Sequence, residues 1–236
     1  LHDNLSGSVA LRYIHSNLTG GISVQGGEET KPGNAVAGDI SVFYSKPLVL
    51  GENNANLGLG INISNLGSKI SYSDTYSEFP PANMRVGVAF TYDIDAYNQI
   101  TAAIDINRLL VPTPPLLDSA GNILEGKPTD VSVPVGVFQS FDDAPGGIEE
   151  ELHENMYSAG LEYWYNNMFA VRMGYFHEHE TKGNRKYFTT GMGLKLNVFS
   201  IDFAYLFPTG GSQNPLANTL RFTLGFNFEG LKADNN

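Results

Sequence analysis

The sequence predicts an all-β fold, a transmembrane antiparallel β-barrel of the outer-membrane type with ten strands visible, and three observations predict it. Ten segments of nine to twelve residues alternate apolar side chains with polar or small ones at period two. The apolar parity of these segments carries no charge. The connections between them are alternately short and long.

The strands read, in order, 6–17, 35–45, 56–64, 82–93, 99–108, 156–165, 169–179, 187–197, 199–207 and 218–228. Their length suits a tilted crossing of a bilayer and exceeds the usual soluble strand. In the first half the apolar parity collects Val9, Leu11 and Tyr13; Val36, Ile40, Val42 and Tyr44; Leu57, Leu59, Ile61 and Ile63; Met84, Val86, Val88, Phe90 and Tyr92; and Ile100, Ile104 and Ile106. In the second half it collects Tyr157, Leu161, Tyr163 and Tyr165, then Phe169, Val171, Met173 and Tyr175. The stretch GMGLKLNVFSIDFAYLF is long and apolar, but its parity flips at Asn197 and Val198. It is therefore a hairpin with a very tight turn, not a helix. The last strand, NTLRFTLGFNF, ends in alternating Phe like the C-terminal strand by which barrels are recognised for insertion, although EGLKADNN follows it. Tyr92, Tyr163, Tyr165, Tyr175, Phe199, Phe207 and Phe228 stand at strand ends, where interfacial girdles lie.

With Gly38, Ala102 and Ala159 the apolar parity counts about 45 positions, where a 17% charged composition places about eight charges by chance. The opposite parity holds Arg12, Asp39, Arg85, Asp105, Glu162, Arg172, Lys195, Asp202 and Arg221 among small residues. A Lys or Arg at the bilayer midplane costs about 2–4 kcal/mol, which explains the exclusion. A soluble β-sandwich also hides one face. Its strands are shorter, and its polar face is rich in Lys and Glu rather than in Gly, Ala, Ser and Thr. The links 46–55, 94–98, 166–168 and 198 are short or moderate, and the alternate ones are mostly longer. Short periplasmic turns and long outer loops put both chain ends on the periplasmic side.

The 236 residues fit a single barrel domain over 1–236, and no run approaches the ~18 uncharged residues of a spanning helix. A net charge of −11 argues against a nucleic-acid partner, and the absence of Cys leaves no disulfide or thiolate metal site. Leu1-His2-Asp3 is neither an initiator nor a signal peptide, so the chain reads as processed or truncated.

Chemistry finds little support. His177 and His179 share a strand face and could form a bidentate metal site, yet His177-Glu178-His179-Glu180 reads better as a solvated strand end. The same His177, His179 and Glu178 are the rim residues open to a surface-protease reading. Asp105, Glu162 and Asp202 could do acid-base work, but four inward acids among five inward bases read as salt-bridged packing. No GxSxG elbow occurs, Gly191-Met192-Gly193 lacks a third glycine, and the three Asn-x-Ser/Thr triplets at Asn4, Asn17 and Asn62 match chance. No catalytic residue, cofactor or metal is expected.

The loop 109–155 combines a Pro-stiffened start, apolar residues and an acidic stretch predicted to be helical over 148–154. A loop this long is functional or disordered, and its apolar content disfavours disorder. It is either a lid over the barrel mouth or a docking surface. The candidate partner-binding residues are Val111, Pro112, Pro114, Pro115, Leu116, Val137, Phe138 and Phe141.

The segments NRLLVPTPP (107–115), VSVPVGVFQSFDDAPGG (131–147), GLEYWYNNMFAVRMGYFHE (160–178), TKGNRKYFTTGMGLKLNVFSIDFAYLFPTG (181–210) and NPLANTLRFTLGF (214–226), with RYIHSNLTGG (12–21), resemble the PorV family, also called LptO. This family is the outer-membrane barrel of the Bacteroidetes type IX secretion system. The resemblance implies a FadL-like barrel of about fourteen strands with a plug, of which this chain looks like the C-terminal part; a closed ten-stranded barrel is the alternative. It implies a non-enzyme that binds the C-terminal domains of secreted cargo at the type IX translocon and delivers cargo to the surface sortase complex, among outer-membrane lipid. The alternative function is a FadL-type channel for hydrophobic small molecules. Against it, the inward face is mostly small and polar, with Ile14, Phe43, Trp164 and Leu206 as isolated apolar exceptions.

Overall fold

A computed structural model of the chain describes residues 3–17, 31–73, 77–209 and 219–227. The girdle residue Phe228, the tail after it, the Asn17 triplet beyond Asn17 itself and part of the 67–81 loop lie outside the described residues.

All ten expected strands form. They are β1 (Leu5–Ser16), β2 (Gly33–Leu50) and β3 (Asn53–Gly67), a small hairpin of β4 (Ile70–Ser71) and β5 (Ser77–Glu78), then β6 (Asn83–Asp93) and β7 (Asn98–Leu109). A second small hairpin, β8 (Leu116–Leu117) with β9 (Ile123–Glu125), precedes helices α1 (Val133–Gln139) and α2 (Gly147–His153). The remaining strands are β10 (Asn155–Tyr165), β11 (Phe169–His177), β12 (Lys186–Lys195), β13 (Phe199–Pro208) and β14 (Leu220–Phe226). β2 runs five residues further than its pattern indicates, because Lys46 and Pro47 interrupt the alternation without ending the strand.

The long strands form one ten-stranded antiparallel sheet in the order β1-β2-β3-β6-β7-β10-β11-β12-β13-β14, starting and ending on the first and last strands among the described residues. The 46–55 and 94–98 connections are shorter than the sequence indicates, 166–168 is as expected, and the turn at 198 is longer, at 196–198. β2 and β3 are joined by Gly51 and Glu52, with Gly51 at φ +66, and Asn166 and Asn167 both adopt positive φ between β10 and β11. Two consecutive left-handed residues match the twist of a hairpin, and Asn tolerates that region better than most side chains. Asp95 closes the β6–β7 turn by accepting bonds from the amides of Tyr97 (2.8 Å) and Asn98 (2.9 Å).

Register keeps the faces separate. Met192 lies beside Phe203, Leu194 beside Ile201, and Phe203 beside Phe222, so apolar partners stay together from strand to strand. A slip of one residue would carry every one of them to the other face. The apolar parity is also the exposed one. Leu11 is 83% and Phe222 65% exposed, and Ile104, Met173, Phe188 and Met192 are exposed as well. A sandwich would bury this face. The buried hydrophobic residues are instead chiefly alanines, at 35, 37, 55, 82, 144 and 170, with Leu110, Met156 and Leu206.

The chain gathers into two compact units. One comprises Leu1–Phe43, Gly60–Val86 and Asn107–Asn155, and contains the long 109–155 segment. In it Arg12 pairs with Asp39, whose carboxylate also accepts the Asn65 amide at 2.9 Å. The other comprises Tyr44–Leu59, Gly87–Ile106 and Met156–Asn236. In it Arg172 bridges Glu162 (2.5 Å) and Asp202 (2.6 Å), with Trp164 beneath its guanidinium at 5.4 Å. Gly193 makes this network possible, because a Cβ there would sit 2.7 Å from the Asp202 carboxylate and 2.8 Å from Arg172.

Candidate functional site

The segment after β7 folds as a cap around one cation. Arg108 stands on the parity of the exposed Ile104 and Ile106 at the end of the fifth predicted strand, a charge on the face expected to carry none, yet it is only 6% exposed, because the cap closes over it. Its guanidinium donates to the backbone carbonyls of Glu151 (2.8 Å) and Ser140, and it pairs with the carboxylates of Glu151 and Glu154, the latter at 3.1 Å. Phe141 lies over it at 5.2 Å. The second oxygen of Glu151 accepts the amides of Asp143 (2.7 Å) and Ala144 (2.8 Å). Thr113 donates its amide to Asp143 (3.1 Å) and its hydroxyl to Glu154 (2.6 Å). The start, middle and end of the segment are thus drawn to one point. A buried ion pair contributes less to net stability than its Coulomb attraction implies, but losing one partner strands a charge.

Close packing completes the cap. A Cβ on Gly136 would meet the Phe79 ring at 2.7 Å and Pro112 at 3.0 Å, so α1 sits tightly on both. The Leu110 amide donates to the Ala82 carbonyl at 2.7 Å. In the β8–β9 turn Asp118 accepts the amides of Ala120 and Asn122, both at 2.8 Å, and Lys127 pairs with Asp142 at 2.8 Å. Burial, first of all, pushes the Asp143 carboxyl above the usual range, and the Glu151 and Glu154 charges push the same way. Asp118 is held below it by the Asn122 side chain and then by turn amides.

The predicted partner-binding residues divide into two groups. Phe138 (79% exposed), Leu116, Phe141 and Pro114 face outward, while Val111, Pro112, Pro115 and Val137 are half-buried. Pro112 is spent on α1, and Phe141 is shared with Arg108. Sequence reasoning missed Val135, Ile148 (81% exposed), Leu152 and Leu124. Ile148 and Leu152 stand four apart, a spacing that places both on one face of α2 and was legible in IEEELHEN. α1 was missed because Val131, Val133, Val135 and Val137 alternate like a strand, although Pro134 opens a helix there. The helix expected at 148–154 forms as α2.

The other candidates resolve into structure. Glu178 is buried and takes a two-point bond from Arg185, at 2.6 and 2.7 Å. His179 caps a single 3-10 turn by accepting from Thr181, and His177 lies 6.3 Å from Tyr175. Among the described residues no three His, Cys, Asp or Glu side chains converge to hold a metal. No helix among the described residues is long and apolar enough to cross a membrane.

Residues 1–116 match the family model of the type IX secretion system protein PorV. The match, over just under half of the chain, supports membership of the PorV family. The matched span contains RYIHSNLTGG, NRLLVPTPP, the strands from β1 to β7 and Arg108, the anchor of the cap. No curated protein matches the chain. PorV is a component of the type IX secretion system, and the match implies a role for the chain in that system.

Proposed function

We propose that this PorV-family chain is an outer-membrane barrel that binds the C-terminal domains of secreted cargo at the type IX translocon and passes cargo to the surface sortase complex. The observation that carries the membrane part is the exposure of the charge-free parity on strand after strand. Such a face is stable against hydrocarbon and a liability in water. In the bilayer, unpaired backbone groups cost several kcal/mol each, so the outer edges of β1 and β14 do not stand open there. The chain ends and short turns are periplasmic, and the 109–155 cap faces outward.

Cargo docks on the cap. Its apolar side chains, Phe138, Leu116, Ile148 and Leu152, are exposed on a frame fixed by Arg108, which suits capture of an apolar protein edge without ordering a loose loop. The experiment is a pull-down of the membrane protein from mild detergent with mass-spectrometric identification of what co-purifies. Translocon, sortase and proteins sharing one C-terminal domain are expected. Fatty acids alone would favour a small-molecule channel.

A further inference from the structure

A groove of about 530 Å³ opens on the outward face of β7 and β10–β13, and its lining is almost wholly hydrocarbon. Sheet register builds it. Ala159 lies beside Tyr175, Tyr175 beside Phe188, and Phe188 beside Phe207, so one row steps from a methyl group to three aromatic rings. In an adjoining row Leu161 lies beside Met173. The short side chains of Ala102 and Ala159 leave a trough that these larger neighbours wall in. Tyr175 and Phe188 pack ring to ring at 4.7 Å, so part of the wall is fixed before any ligand arrives.

We propose that this groove holds one acyl chain of a bilayer lipid. The inference rests on the membrane-barrel reading above. On that reading the groove lies within the charge-free band, where water is absent and an empty trough forfeits dispersion contacts on one side. The lining has no charge and almost no polar atoms, so it complements a hydrocarbon chain. An irregular protein segment entering it would bring backbone groups that this lining cannot satisfy.

The test uses the full chain in mild detergent with phosphatidylethanolamine carrying a photoreactive group in its acyl chain. Labelling of Leu161, Met173 and Phe188 should exceed that of Val9 to Tyr13 on β1 severalfold. Ala159→Phe and Ala102→Phe, which fill the trough, should reduce the excess severalfold while the barrel stays heat-modifiable on gels. If a filled variant does not fold, the wild-type label distribution decides alone. Even labelling along all outward strands would overturn the groove and leave the barrel intact. Protection by a stoichiometric co-purifying protein would overturn the lipid as occupant. Absence of both labelling and heat-modifiability would instead sink the membrane reading.

Discussion

In the cap the ionic Arg108, Asp143 and Glu151 are sealed from solvent along with Leu110 and Ser140, whereas in β10–β14 the groups turned outward are Leu, Met and Phe. Both invert the usual order of a water-soluble domain, and for different reasons. The cap is a segment of nearly fifty residues that leaves most of its large apolar side chains exposed, so its convergence depends on directional bonds from a single guanidinium. The sheet has apolar side chains in abundance but sends them out, so its stability depends on the solvent it meets. Substitutions in the cap should therefore act locally and regardless of environment. Substitutions on the sheet should act through the bilayer.

The largest effect is expected at Arg108→Leu. Removing the cation leaves Glu151 buried without compensation, a loss of about 3–5 kcal/mol. Hydrogen exchange should show amides of 140–154 opening while those of β10–β14 keep their protection. Equal loss of protection in both regions would erase the distinction between them. Next comes the outward face, where Leu194→Arg should depress folding yield in lipid well below that of Thr189→Arg on the inward face. Equal yields of the two variants would undo the assignment of faces.

How much of this was legible in the sequence follows from the same contrast. Every long strand was readable because a sheet that keeps one face apolar and the other polar or small writes that division at every second residue, as at Phe199, Ile201, Phe203 and Tyr205. The cap has no such periodicity. Its two hairpin strands, β8 and β9, span two and three residues, too short for alternation to register. Arg108 looked like the end of a strand, since nothing near it in sequence announces Glu151, 43 positions on. The exposed residues of α2 were readable from spacing. Those of α1 were obscured by valines in a strand-like pattern.

A smaller effect is expected for Arg172→Leu. Arg172, Glu162 and Asp202 are each about a third exposed on the inward face, so water screens the bridge and its loss should cost at most about 1 kcal/mol. Thermal unfolding in detergent should shift much less for Arg172→Leu than for Leu194→Arg. A larger shift for Arg172→Leu would mean that the inward network is sealed from water as Arg108 is.

The smallest effects are those of pH within the cap, where two aspartates have opposite signs. Asp143 is raised by burial, so its contribution is fully present below its unfolded pKa and is lost as pH rises through the raised folded value. Near neutral pH the cap therefore carries a buried carboxylate that mild acid relieves. Asp118 is lowered by Asn122 and the turn amides, so its contribution is present above the unfolded pKa and is lost as pH falls through the lowered folded value. Stepping from neutral to mildly acid pH should protect the amides of Thr113 and 143–144, once intrinsic exchange rates are corrected. Stronger acid should then release the β8–β9 turn. Asp143→Asn should flatten the first step and leave the second, while Asp118→Ala should remove the second and leave the first. If Asp143→Asn left both steps in place, the buried Asp143 carboxyl would not be the group that mild acid relieves, and the contrast between the two aspartates would fall with it.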